Sequence, residues 1–272
     1  MRPRPLVVAF DTSGSLGSVA VAEGSDVIAR EFLTRRGEHA AHLVPMVRRA
    51  LASVGATAAD IAEVVVGSGP GSFTGVRVAA ATAKGLVRSL GVPLWPVSSL
   101  AAAAASAEAH LPFPIRPGAA AEDGEEGVDV LSGQPPSRAD ELQDLEPKDV
   151  LRPRFVLFDA RGDRVYAGCY QFLDGGIENV VPPRPARIGG VIEEGAPPGT
   201  FFCGDGALRH SEALMSAGHP VLALPAGIPT AEGLLQVHRA LGSRPPETAP
   251  GRWEPEYLRA WKGVRLQIES AT

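Results

Sequence analysis

Apolar residues in the first hundred positions follow two periods in turn, first that of strands and then that of helices. Three short apolar and β-branched runs predict three strands, at residues 6–11, 17–22 and 27–33. The next apolar residues are spaced by three and four, which predicts an amphipathic helix that Gly55 closes. They are Leu43, Met46, Val47, Ala50, Leu51 and Val54. Thr57 and Asp60 then form a capping-box pattern, which predicts a short helix before the next strand.

A glycine-rich segment follows that strand at residues 67–77, Gly-Ser-Gly-Pro-Gly-Ser-Phe-Thr-Gly-Val-Arg. After it, Ser72 or Thr74 can cap a helix that ends at Gly91. The glycines are therefore expected at a strand-to-helix turn, where backbone N–H groups and a helix N-terminus can bind an anion. The same residues also suit a tight turn that holds no ligand. The pattern alone leaves both interpretations open.

The rest of the chain continues to alternate strands with helices. The predicted strands are 93–97, 155–159, 165–172, 200–203 and 221–224, and the predicted helices are 98–110, one from Ala207 and 231–241. The segment 116–153 is rich in proline, glycine and acid and has few apolar residues. The entropy of ordering it should exceed what it can bury, so we expect an insertion that is mobile.

Composition narrows the class of protein. The net charge of −5 comes from residues 117–152, which contain ten acidic and three basic residues. The remainder of the chain is close to neutral. The chain therefore has no strongly basic surface field that would indicate nucleic-acid binding by this protein alone. Cys169 and Cys203 offer no disulfide framework and suit a reducing compartment. No apolar run has the length of a signal peptide or membrane span, so we expect a cytoplasmic protein without a membrane partner.

The first candidate for a ligand-binding site is the end of the first predicted strand. Asp11, Thr12 and Ser13 could surround a phosphate and its magnesium ion, and Gly204 and Gly206 could mark the adenosine side of such a cleft. The alternative for Asp11 is a strand-end Asx turn, which uses the same residue types.

Metal and nucleophile motifs are weaker. His39 and His42 lie three apart at the start of the first long helix, with no third ligand evident, so the sequence predicts no metal site. The alternative for His39 is a position at a helix start or an interface. Ser72 lies in Gly-Ser-Phe-Thr-Gly rather than Gly-x-Ser-x-Gly, which disfavours a serine hydrolase and leaves no catalytic residue to assign.

The glycine-rich turn resembles the signature Gly-Pro-Gly-Ser-Phe-Thr-Gly-x-Arg of the TsaB family. It is carried here by Gly69, Pro70, Gly71, Ser72, Phe73, Thr74, Gly75 and Arg77. Further family motifs recur in order at residues 9–13 with 18–21, 159–161 with 165–170, 204–207 and 255–259. The resemblance implies an α/β, two-lobed actin/hexokinase/Hsp70-like (ASKHA) nucleotidase fold with a degenerate active site. Its lobes would be residues 1–98 and 99–272, with the insertion 116–153 in the second.

The resemblance also implies a function. Members of this family are non-catalytic subunits of the tRNA threonylcarbamoyladenosine (t6A) modification complex, which pair with and activate the transferase TsaD. An ATPase subunit, TsaE, completes the cycle, and tRNA is met through the complex. The chain would need no cofactor of its own, because ATP and metal belong to the partner subunits. Two alternatives remain open: a self-sufficient metallopeptidase-like or nucleotide-using enzyme of the same fold, and a stand-alone regulatory homodimer.

Small residues recur every four positions along the second long helix, at Gly71, Gly75, Ala79 and Ala83. Such a stripe permits close packing, either on the chain's own sheet or on another helix. In the TsaB family the first two helices form the surface that pairs with TsaD. The resemblance therefore implies a partner interface that contains His39, Leu43, Met46, Val47, Gly75, Ala79 and Ala83.

Overall fold

The computed structural model describes residues 5–34, 38–106, 152–173, 176–242 and 244–256, together with the backbone of 115–117 and 128–130. The motif residues 257–259, His110 and most of the predicted insertion lie outside these residues. No helix in the described part of the chain is long and apolar enough to span a membrane.

The first half forms a five-stranded mixed sheet with two long helices, as the sequence predicts. The strands are β1 (Leu6–Asp11), β2 (Gly17–Glu23), β3 (Asp26–Leu33), β4 (Ile61–Gly67) and β5 (Leu94–Val97), in the order β3-β2-β1-β4-β5. The helices are α1 (His39–Ser53) and α2 (Phe73–Leu90), with a 3-10 turn at Ala58–Asp60. β1, β4 and β5 are parallel, while β2 and β3 run antiparallel to their neighbours.

Local signals determine where these helices begin and end. The Thr57–Asp60 capping box forms, with the backbone N–H of Thr57 donating to Asp60 Oδ2 at 2.8 Å. Ser72 caps α2, because its hydroxyl accepts the N–H of Gly75. Gly91 ends α2 in the left-handed conformation at φ 69°, which glycine adopts without steric cost.

The second half forms a four-stranded sheet of order β10-β9-β8-β11. Its strands are β8 (Arg154–Asp159), β9 (Arg164–Leu173), β10 (Gly176–Arg187) and β11 (Phe201–Cys203). Its helices are α4 (Ile188–Glu194), α5 (Asp205–Arg209), α6 (Ser211–Ser216) and α7 (Ala231–Ala240), and α3 (Ser99–Ala105) connects to it from the first sheet. Two further short strands, β6 (Ile115–Pro117) and β7 (Val128–Val130), pair antiparallel at the start of the predicted insertion.

The hydrophobic core lies in three layers, one of which packs α4, α5 and α6 on the outer face of the second sheet. α1 and α2 cover the outer face of the first sheet, and α3 and α7 lie between the two sheets. The middle layer joins residues such as Ala9 and Val65 of the first sheet to Val156 and Phe158 of the second. Residues 244–256, here called the strap, then return along the first sheet: Glu247 N–H donates to Leu94 O at 2.9 Å and Glu256 N–H to Ser68 O at 2.7 Å.

Three sequence predictions for the second half are wrong or incomplete. The strand predicted at 221–224 is only an isolated bridge between Phe202 and Val221. The twelve-residue strand β10 was missed because it contains Pro182, Pro183 and Pro185, which usually argue against a strand. These prolines are tolerated because β10 is an edge strand whose pairing with β9 is interrupted by register shifts. The short helix α4 was also missed.

Glycine at position 75 is required by close packing of α2 on the end of β1. A Cβ on Gly75 would lie 1.8 Å from the carbonyl oxygen of Thr12, whereas a Cβ on Gly85 of the same helix meets nothing within 4 Å. We expect Gly75→Ala to lower the free energy of unfolding by about 2 kcal/mol or more, because backbone must move. The control Gly85→Ala should raise it by roughly 0.5–1 kcal/mol. Urea denaturation measures both, and equal effects at the two positions would contradict this packing.

Candidate functional site

The carboxylate of Asp11 is fully buried where β1 ends, and three donors from its own chain satisfy it. The backbone N–H and the hydroxyl of Ser13 both donate to Oδ1 at 2.6 Å. The hydroxyl of Ser99, at the start of α3, donates to Oδ2 at 2.7 Å. Burial raises the pKa of Asp11 above its ordinary value, while the hydrogen bonds from Ser13 and Ser99 act in the opposite direction. The predicted Asx turn is therefore present.

The glycine-rich turn packs directly on this strand end. Ser72 N–H donates to Ser13 O at 2.7 Å, and the Thr12 hydroxyl donates to Gly75 O at 2.6 Å. A Cβ on Gly71 would lie 2.4 Å from Ser13 O. The glycine therefore permits a close approach of two backbone segments. The space beside Thr12 and Ser13 is filled by the chain itself, and these residues do not form an open phosphate cradle.

Two further glycines, at the carboxyl end of β4, also allow the turn to pack closely on the end of β1. A Cβ on Gly67 would lie 1.9 Å from Asp11 Oδ2. Gly69 N–H donates to Ser99 Oγ at 3.2 Å, and Ser99 N–H donates to Gly69 O at 2.8 Å. The hydroxyl of Ser99 thus links the turn to the Asp11 carboxylate.

The signature turn also has an exposed side. Pro70 is buried, whereas Ser72, Phe73, Thr74 and Arg77 face solvent at the first turn of α2. The ring of Phe73 is 52% exposed, and the guanidinium of Arg77 lies 4.4 Å from its centroid. The two side chains thus pack on each other on the exposed side of the turn.

The predicted adenosine side shows the same close packing in the second half. A Cβ on Gly204, whose φ is 99°, would lie 2.4 Å from Leu157 O, and one on Gly206 would lie 2.8 Å from the carbonyl carbon of Phe158. Asp205 Oδ1 accepts the N–H groups of Asp159 and Gly206 at 3.0 and 2.9 Å. Both glycines are thus explained by contact with β8.

The end of β8 repeats the turn found at the end of β1. Asp159 Oδ1 accepts the backbone N–H of Arg161 at 2.9 Å, two residues on, as Asp11 accepts that of Ser13. Asp159 is half-buried, however, and its other oxygen accepts a hydrogen bond from Arg209 at 3.1 Å. The two halves of the molecule therefore share a strand-end motif with different burial.

The two histidines of α1 have different surroundings. His39 is buried against Gly17, and its charge is the smallest of the influences that lower the pKa of Asp11. His42 is half-buried on the helix surface, with Nε2 at 3.2 Å from Glu38 Oε2. No group of three or more potential metal ligands occurs within the described ranges.

The side chains predicted for the partner interface lie in the chain's own core. All seven residues of that prediction are buried: His39, Leu43, Met46, Val47, Gly75, Ala79 and Ala83. Their exposed fractions, 1% for Leu43 and 0% for Ala83 among them, leave no surface for a partner. The residue assignment therefore needs correction: the small-residue stripe packs on the chain's own sheet. Whether these two helices bind a partner through another face stays a prediction.

An open apolar groove lies between α1 and α2 on the side away from the sheet. Its volume is about 740 Å³, and it is lined by Val44, Pro45, Ala52, Ala58, Thr82 and Leu86, among others. Val44, which lines the groove, is 49% exposed. Sequence reasoning missed this groove because the stronger periodic signal belongs to the buried face. The signal available was the apolar character of positions 44 and 52, on the face of α1 opposite the core.

Two basic side chains border the groove. Arg48 and Arg49 line it from α1. Arg49 Nη2 lies 2.9 Å from Glu31 Oε2. The groove therefore combines an apolar lining with cationic side chains on its α1 side.

Comparison with known proteins agrees with the motifs. Residues 29–125 match the family model of TsaD, tRNA N6-adenosine threonylcarbamoyltransferase. The chain is 28% identical to the tRNA threonylcarbamoyladenosine biosynthesis protein TsaB of Bacillus subtilis over 187 residues, 69% of this chain and 64% of that protein. It is 38% identical to TsaB of Escherichia coli over 94 residues, 35% of this chain and 40% of that protein. These matches thus span less than two thirds of either relative.

A solved structure extends the similarity over most of the chain. A Pseudomonas aeruginosa protein, described as similar to the peptidase YEAZ, superposes with a TM-score of 0.66 at 25% identity, covering 94% of this chain and 100% of that one. YeaZ from the same organism superposes with a TM-score of 0.60 at 25% identity, covering 86% and 90%. The two-sheet α/β architecture is the actin-like ASKHA fold that the sequence predicts. In its signature turn and in these relatives, the chain resembles the TsaB/YeaZ family.

Proposed function

We propose that this protein is a non-catalytic subunit of the t6A modification machinery, which pairs with a TsaD-type transferase and activates it. The observation that carries the proposal is the apolar groove between α1 and α2, on a chain related to TsaB proteins. The protein would interact with a TsaE-type ATPase and with tRNA only as part of this complex, in the cytoplasm. The rival is a self-sufficient enzyme of the same fold.

The non-catalytic part of the proposal is supported by the chemistry around Asp11. A carboxylate that serves a phosphate-bound magnesium ion needs oxygen lone pairs and access to solvent. Asp11 is instead buried and accepts three hydrogen bonds from Ser13 and Ser99. The residues at this strand end therefore do not fit ATP and magnesium, and in the proposed complex both belong to the partner subunits.

The partner-binding part is supported by the groove. Burying its apolar floor against another chain would remove Val44 and Leu86 from water, the main source of association free energy. Arg48, which lines the groove from α1, favours a partner with an acidic residue on that side, which would speed and orient the encounter. We therefore expect the TsaD-type partner to present an apolar ridge with an acidic residue facing α1.

The first test changes the groove without touching the core. Val44→Glu should leave the fold intact, because the side chain is 49% exposed, yet place a charge in the buried interface. We expect its affinity for the same organism's TsaD-type protein to fall by about tenfold or more, with a matching loss of t6A formation. Pull-down with a tagged partner and a tRNA modification assay measure the two effects.

A matched control uses the second sheet. Leu173 is 48% exposed at the end of β9, far from the groove in the fold, so Leu173→Glu makes the same chemical change elsewhere. This variant should pair and support modification like the unchanged protein. Equal behaviour of the two variants would remove the groove from the proposal.

The second test concerns the buried stripe. Ala83 has no exposed surface and packs in the core between α2 and the sheet. Ala83→Glu should therefore destabilise the fold by several kcal/mol, on the order of 4 or more, rather than only weaken pairing. Thermal unfolding followed by circular dichroism measures this. A variant that stays fully stable but does not pair would place the stripe at the partner interface after all.

A further inference from the structure

The outer helical layer of the first half is almost free of acidic residues. Between residues 39 and 106, which include α1 and α2, the sequence contains only Asp60 and Glu63. Asp60 Oδ2 accepts the backbone N–H and the hydroxyl of Thr57 at 2.8 and 2.9 Å. Glu63 lies 3.8 Å from His238 Nε2 of α7, on the inner face of the sheet. The outer layer is therefore cationic, in a chain whose net charge is −5.

The cations of α2 lie in one line along the helix. They are Arg77, Lys84 and Arg88, here called the cationic stripe, and the intervals of seven and four residues are close to two turns and one turn. Arg77 and Arg88 are exposed and Lys84 is half-buried. Within the described ranges, no carboxylate lies within salt-bridge distance of Lys84 or Arg88. The charge of the stripe is thus not cancelled by ion pairs at these two residues.

The cationic stripe and the apolar groove occupy opposite flanks of α2. Thr82 and Leu86 line the groove, and each lies two residues from Lys84. Two residues correspond to about 200° of rotation around the helix, so these side chains leave it on the side away from Lys84. A partner seated in the groove would therefore leave the stripe exposed.

An aromatic ring continues the stripe at the start of α2. Phe73 lies one turn before Arg77, its ring is 52% exposed, and the Arg77 Cζ is 4.4 Å from the ring centroid. Proteins that bind unpaired nucleotides combine cations for the backbone with exposed aromatic rings on which bases stack. Phe73 adds such a ring to the stripe.

A chain of phosphates fits this arrangement better than a small anion does. The charges follow one another at about 10 Å and about 6 Å along the helix axis, so all three do not converge on one ion. Each exposed cation is hydrated in the free chain. A polyanion nevertheless gains free energy on contact, because the counterions condensed on its phosphates are released, and this requires no buried or unpaired donor. An acidic protein surface has a lower charge density and offers no comparable release.

We infer that the cationic stripe binds the phosphate backbone of tRNA. The inference rests on the proposed function, which brings tRNA to the complex, and adds a direct contact made by this chain while the groove holds the partner. Phosphate contacts fix orientation rather than sequence, so the chain would position tRNA for the transferase. Three cations give a weak contact, and the isolated chain should therefore bind tRNA only at low salt.

The test is a fluorescence anisotropy titration of labelled tRNA from the same organism with the full chain, at several salt concentrations. We expect saturable binding at about 50 mM salt that weakens more than about tenfold at 200 mM. Lys84→Gln combined with Arg88→Gln should weaken binding at the lower salt about fivefold or more, and should make the salt slope shallower by about 1 per cation removed. Glutamine keeps the helix propensity, and circular dichroism checks the fold.

Two results of this titration would overturn the inference. One is the absence of saturable binding by the unchanged chain at about 50 mM salt. The other is a double variant that keeps both the affinity and the salt slope of the unchanged chain.

A matched control removes two cations elsewhere. Arg164 of β9 and Arg239 of α7 are exposed, so Arg164→Gln combined with Arg239→Gln changes the net charge by the same amount. This control should bind tRNA like the unchanged chain. An equal loss of binding would show that only net charge matters, and would overturn the stripe as the site.

Pull-down with the TsaD-type partner separates this inference from the proposed function. The variant changed at Lys84 and Arg88 should still pair, because the groove lies on the other flank of α2. Failure of the unchanged chain to pair would reject the proposed function, whereas the tRNA titration uses the chain alone and decides the inference by itself. A double variant that binds tRNA normally but no longer pairs would assign the stripe to an acidic protein surface and overturn the inference.

Discussion

The buried carboxylate of Asp11 is the constraint on which the arrangement of the first half depends. A charged group that is removed from water must receive hydrogen bonds from its surroundings or lose its charge. Here the donors come from Ser13 on the same turn and from Ser99 at the start of α3. Ser99 also holds the backbone of Gly69. A single side chain therefore fixes β1, the glycine-rich turn and the helix that leads to the second sheet.

This constraint explains why the signature turn is rich in glycine. Side chains at positions 67, 71 and 75 would overlap the Asp11 carboxylate or the carbonyl oxygens of Ser13 and Thr12. A glycine-rich strand-to-helix turn is often interpreted as an anion site. In this protein its backbone packs on the chain itself. What the turn presents outward is instead the exposed start of α2, with Phe73 and Arg77.

Much of the fold could be predicted from the sequence, because it depends on local signals. The strands of the first sheet, the capping box at Thr57 and the left-handed Gly91 are each specified by neighbouring residues. Features that depend on contacts between residues distant in the sequence could not be predicted in this way. β10 forms despite its prolines because an edge strand tolerates them, and α-helical periodicity at Ala79 and Ala83 does not say which surface the small face packs on. The attachment of the strap joins residues over 100 positions apart, as in the hydrogen bond from Arg244 to Pro96 O.

We propose that the Asp11 strand end is a structural junction rather than a nucleotide site. Isothermal titration of the isolated chain with ATP and magnesium is the decisive experiment, with Asp11→Asn as the companion variant. We expect no saturable binding by the unchanged chain, because the carboxylate already accepts hydrogen bonds from Ser13 and Ser99 and the glycines contact protein. Stoichiometric ATP binding that Asp11→Asn abolishes, in a variant still folded by circular dichroism, would contradict it.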